Sequence, residues 1–118
     1  MIQPASNSPE LTELERLVLE TAGAAAGDAA RWRTQIEAAT VARRTPSGVG
    51  FMTRLHIPAA DRLAADGLST ISGEHPALPS GAEFVVQVAG GRINSIEAFC
   101  HEGMWPADES QFRLFCGP

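Results

Sequence analysis

At 118 residues the chain is long enough for one domain that buries roughly two-thirds of its unfolded surface without disulfides or metal. A formal charge of -5 and the lack of any lysine leave no positive field to gather phosphates, which argues against nucleic acid or an anionic membrane as partner. No apolar run reaches the length of about 18 residues that a membrane span requires, the start lacks the regions of a signal peptide, and the two cysteines suit a reducing compartment, so a cytoplasmic domain covering 1–118 is expected.

Residues 1–7 read as a flexible arm, 8–37 as helical, and 38–118 as sheet and loops. Ser8-Pro9 offers a hydroxyl cap with proline at the first helical position, and Glu10 and Glu13 suit the first turn. Leu11, Leu14, Val18, Thr21, Ala22 and Ala25 recur at helical spacing, with Leu17 widening the stripe; Gly27 suits the stop, and Gly23 weakens the helix from within. Asp28 can cap a second helix with Ala29, Trp32, Arg33 and Ile36 on one side. The stretch 38–44 is compatible with helix or strand; the turn Thr45-Pro46-Ser47-Gly48 before a strong strand favours a hairpin, with Arg43 and Arg44 protecting the sheet edge.

Residues 49–57 alternate Val49, Phe51, Leu55 and Ile57 against Gly50, Met52, Arg54 and His56, the period-two pattern of a strand with one apolar face. Ala59, Ala60, Leu63, Ala64 and Leu68 have the spacing of one or two helical turns, and 69–81 reads as a loop with room for a site, either throughout or after a short extended piece at Leu68 to Ile71. Gly90-Gly91 between 83–89 and 92–100 predicts a type I′ hairpin. Ile93 and Ile96 are out of phase, so either the strand bulges near Asn94-Ser95 or the two side chains cover opposite faces. Residues 102–111 read as loop, and Phe112, Leu114 and Phe115 as a short strand or docked tail.

Thr45-Pro46-Ser47-Gly48, Gly50-Phe51, Gly90-Gly91, Ile96-Glu97-Ala98-Phe99 and Trp105-Pro106 together resemble a loose group of small uncharacterised bacterial α+β proteins. That group carries a TGxGFF-like turn and strand and a C-terminal GxIxxLEgf…WP segment. The resemblance spans about residues 35–106, with Met52 in place of a phenylalanine and Ala98 in place of a glycine. It implies helices on an antiparallel sheet and no assigned activity.

No motif points to a cofactor, and no spacing points to a metal: His56, His75, His101, Cys100, Cys116, Asp108 and Glu109 lack the close pairs that zinc sites use. Adjacent residues on a strand face opposite ways, so Cys100 and His101 do not make a thiolate–imidazole couple, and Cys100 falls in phase with core positions. Glu83 and Glu97 face each other across the final hairpin in this reading, with Arg54 as their partner on the neighbouring strand. The expected fold is α+β: a helix or helix pair on a four-stranded antiparallel sheet (39–44, 49–57, 83–89, 92–100), in the order of a meander, with the long 58–82 connection leaving room for another order.

Such helices cover one face only, and Met52, Val85 and Phe99 on the other ask for cover. The leading expectation is therefore a non-enzymatic domain that binds a protein or its own copy through Met52, Arg54, His56, Glu97, Phe99 and Trp105. The alternatives are a small-ligand sensor or carrier anchored by Arg54 and Glu97 beside 69–81, and an enzyme using His56, His101 or Glu97 as acid and base.

Overall fold

A computed structural model describes residues 9–58 and 61–116; the arm at 1–7, the cap at Ser8 and the positions of Ala59 and Ala60 lie outside the described residues. Helix α1 (Glu13–Ala26) begins later than Ser8-Pro9 suggests, because Thr12 builds a capping box with Glu15. The Thr12 hydroxyl accepts from the Glu15 N–H at 3.0 Å, and the Glu15 carboxylate accepts from the Thr12 N–H at 2.8 Å. Its buried stripe is Leu14, Val18, Leu19 and Ala22, whereas Leu17 is exposed. Helix α2 (Ala29–Ala38) lies so close that a Cβ on Gly23 would stand 2.7 Å from Trp32 Cβ. The glycine that weakens the isolated helix is the one that lets the pair pack.

The helices cover one face of a six-stranded antiparallel sheet, two strands more than the sequence suggests. Its strands are β1 (Thr40–Pro46), β2 (Gly50–His56), β3 (Gly67–His75), β4 (Leu78–Ala89), β5 (Arg92–Cys100) and β6 (Arg113–Cys116). The order β1-β2-β5-β4-β3-β6 is not a meander, since β5 lies between β2 and β4. β3, read in the sequence only as a loop or as a short extended piece at Leu68 to Ile71, consists mostly of glycine, serine and threonine, so no apolar alternation marks it. Residues 61–66, expected to be helical, form neither helix nor strand.

Phe51, Thr53, Leu55, Phe84, Val86, Val88, Ile96 and Ala98 point at the helices and are buried. A register shift between Gln87 and Val88 pairs Gln87 with Ser95 and Val88 with Ile93. Asn94 is thus the extra residue of a bulge, and both isoleucines reach the core. Gly90 and Gly91 both have positive φ, 63° and 76°, as a type I′ turn demands. Among the described residues no helix is long and apolar enough to cross a membrane.

Candidate functional site

The outer sheet face gathers five of the six expected surface residues. Met52 and Val85 flank Glu97 from the two neighbouring strands, and Gly50 and Glu83 flank Phe99 in the same way. Arg54 lies opposite Ser95, and His56 opposite Thr40. Residues directly opposite share a face, so Met52, Arg54, Glu97, Val85, Phe99 and Glu83 form one continuous surface. Farther out on the same face stand Leu68 at 68% exposure and Phe115 at 43%.

The expected charge pairing does not form. Glu83 stands opposite Phe99 and not opposite Glu97. An ion pair joins Glu15 to Arg44 at 2.6 Å and a hydrogen bond joins Glu83 to His101 at 2.8 Å, and Arg54 and Glu97 belong to neither. His101 also meets the Phe99 ring edge-on, with centroids 5.4 Å apart. Cys100 is buried with the core, on the side away from His101.

Trp105 is not part of that face. Its ring stacks on Phe112 at 5.0 Å and meets Phe51 and Phe84 edge-on, so it seals the core side of the sheet. The Trp105 N–H donates to the Gly48 carbonyl at 2.9 Å, and the Cys100 N–H donates to that of Val49 at 2.9 Å. A Cβ on Gly50 would stand 1.7 Å from the Ala98 carbonyl oxygen. The segments Thr45–Gly48, Gly50-Phe51, Ile96–Phe99 and Trp105-Pro106 therefore meet at one end of the sheet, where each has a packing task.

Beneath the sheet lies a polar cluster that sequence reasoning missed. Glu15 is 1% exposed, accepts two hydrogen bonds from Arg44 at 2.6 and 2.9 Å, and accepts a third from the Thr53 hydroxyl at 2.5 Å. Burial pushes its carboxyl up, but the bonds from Arg44, Thr53 and the Thr12 N–H together pull it below its ordinary value. Arg44, expected as an edge guard, is drawn inward by this partner; Arg43 keeps the exposed position. Nearby, Glu109 accepts from the Trp105 indole N–H at 2.7 Å. Its carboxyl is pushed up, mainly by burial and further by the Glu15 charge, against the lowering effects of Trp105 and Arg44. The only signal for the cluster in the sequence is Thr12-x-x-Glu15, which announces a capping box and not an ion pair.

The region expected as a loop at 69–81 does border a cleft, of about 690 Å³, between the β3–β4 hairpin and β6. Its charged lining is Glu74, Glu83 and Arg113 in place of Arg54 and Glu97. Among the described residues no group of three His, Cys, Asp or Glu is placed to hold a metal ion. The fold and this surface define a two-layer α+β domain with one sheet face left uncovered. No family model, curated protein or solved structure matches the chain.

Proposed function

We propose that this protein is a non-enzymatic binding domain that works through its outer sheet face, and that the occupant of that face is a second copy of the chain. The observation that carries the reading is the uncovered face itself, where exposed Met52 and half-buried Val85 and Phe99 are interleaved with charge. Isolated apolar residues on a surface are ordinary, but a contiguous set rimmed by charge marks an interface. The charges are arranged for a twofold contact: Arg43 and Arg54 lie on the β1–β2 side, Glu97 and Glu83 on β5 and β4. A twofold axis lying in the interface plane, parallel to the strands, lays the arginine side of each copy on the glutamate side of the other. Size is adequate too. The Cα slab measures 38 × 34 × 18 Å, a broad face next to the roughly 800 Å² per partner of a standard interface.

Sedimentation equilibrium from micromolar to millimolar protein tests this. The wild type is expected to double in mass, and Met52→Arg/Phe99→Glu to stay monomeric with native circular dichroism. Arg54→Glu and Glu97→Arg should each weaken the dimer, and their combination should restore it. A wild type that remains monomeric throughout the range rejects the second copy as occupant.

The cleft beside β6 supports a second reading, a carrier of a small ligand bearing both charges, held between Arg113 and Glu83. Arg113→Ala would abolish such binding.

A further inference from the structure

The cleft beside β6 also selects among doubly charged ligands, an inference that rests on the carrier reading of that cleft. It opens on the outer face of the sheet. Ile71, Gly73 and His75 of β3 are buried toward the core, so Ser72 and Glu74 between them point outward. Opposite them on β6 stand Phe115, facing Ser72, and Arg113, facing Glu74. Toward β4 the ladder is irregular. Gly73 pairs with Ala82 and His75 with Leu78, so Glu74 alone faces Pro79, Ser80 and Gly81. A bulge of this kind re-aims side chains and is frequent beside active sites.

Most polar groups around the cleft are already committed. Glu83 accepts from His101 Nε2 at 2.8 Å, and the Ser80 hydroxyl donates to Glu102. His75 spends one ring nitrogen on the Asp108 carbonyl and the other on the Ala77 N–H. Glu74 and Arg113 differ. They face each other, yet no ion pair joins them, and neither side chain makes a hydrogen bond among the described residues. Two opposite charges are thus left side by side, with the exposed ring of Phe115 two positions along β6. The volume of about 690 Å³ lies within the ~300–1,000 Å³ of small-molecule sites.

Spacing selects the ligand. Residues directly opposite on neighbouring strands have Cβ atoms about 5 Å apart, so the charges they hold must lie close together on the ligand. A carboxylate and an ammonium on one carbon meet that condition, and charges at the two ends of a longer chain overshoot it. Arg113 can grip the carboxylate through two parallel N–H bonds. The ammonium falls to the uncommitted Glu74, on the strand between Arg113 and Glu83. Phe115 lies about 7 Å farther along the same face of β6, within reach of a large side chain, and offers its ring for stacking. We propose that the cleft binds a free α-amino acid with an aromatic side chain, its carboxylate on Arg113, its ammonium on Glu74 and its ring on Phe115.

L-Phenylalanine titrated into the ¹⁵N-labelled full chain is the test. Amide shifts are expected at 72–75 and 113–115. 3-Phenylpropanoate, which lacks the ammonium, and 2-phenylethylamine, which lacks the carboxylate, should each bind at least about tenfold more weakly, because each leaves one charged partner unmet. Glu74 and Arg113 are exposed, so substitutions there spare the core. Glu74→Gln should weaken phenylalanine about tenfold and leave 3-phenylpropanoate unchanged; Arg113→Gln should weaken it as much and leave 2-phenylethylamine unchanged. Phe115→Ser should erase the preference for phenylalanine over alanine. 4-Amino-3-phenylbutanoate carries the same ring with its charges farther apart. If it shifts these amides and phenylalanine does not, the α-amino acid is overturned and a doubly charged ligand stands. If neither shifts them at millimolar concentration, both are overturned. Phenylalanine binding that survives in Glu74→Gln and in Arg113→Gln would likewise sink the proposal.

Discussion

Glu15 and Glu109 are two carboxyls in one neighbourhood whose environments push them in opposite directions. Glu15 is depressed below its ordinary 4.5, so the stability it contributes is complete above that value and is lost as pH falls through the folded value. Glu109 is raised above 4.5, so its protonated form is favoured by folding and stability is lost as pH rises through the folded value. Two variants separate these effects. Glu15→Gln should lose about 3 kcal/mol at neutral pH, because it leaves the buried Arg44 charge without its counterion, and the deficit should shrink in acid. Glu109→Gln keeps an acceptor for the Trp105 indole; it should match the wild type in acid and exceed it at neutral pH. Urea unfolding at a series of pH values measures both. Difference curves that bend the same way would contradict the assignment.

At the scale of elements, glycine has different tasks at two places in the sheet. Gly90 supplies a positive φ in an open turn, where an added Cβ would meet nothing within 4 Å. Gly50 instead yields space to the Ala98 carbonyl on β5. Gly90→Ala should therefore lose only the ~1–2 kcal/mol of a left-handed backbone. Gly50→Ala should lose about 3 kcal/mol or more, since β2 and β5 must separate locally. Chemical denaturation ranks the two, and an inverted ranking would show that the strands can part cheaply. Gln35 illustrates an element joined to a turn. Fully buried, it donates to the Asp61 and Gly91 carbonyls, each at 2.9 Å, and accepts from the Ile93 N–H at 3.0 Å. Helical spacing in the sequence selects Trp32 and Ile36 for the core, but it cannot select a glutamine whose partners lie 26, 56 and 58 positions away.

At the scale of the molecule, the proposed dimer rests on arginine meeting glutamate across a surface that remains partly wet. Raising the salt concentration shortens the screening length from about 10 Å at 0.1 M to about 3 Å at 1 M, so sedimentation equilibrium should show a weaker dimer in high salt. Salt-independent association would place the energy in Met52 and Phe99 alone. Local information determined the features that repeat within a short window. The alternation of Phe51 and Leu55, the glycine pair of the final hairpin, the helical stripe through Leu14 and Val18, and the uncovered mixed face all follow from periodicity and turn chemistry. Only the tertiary structure decided what depends on distant partners. β3 is a strand because β4 and β6 satisfy its backbone, although its own glycine, serine and threonine carry no apolar signal. Register puts Glu83 opposite Phe99 and Arg54 opposite Ser95, which removes the Arg54–Glu97–Glu83 arrangement. Trp105 turns to the core because Phe51, Phe84 and Phe112 converge there from three separate parts of the chain, a coincidence that no periodicity records.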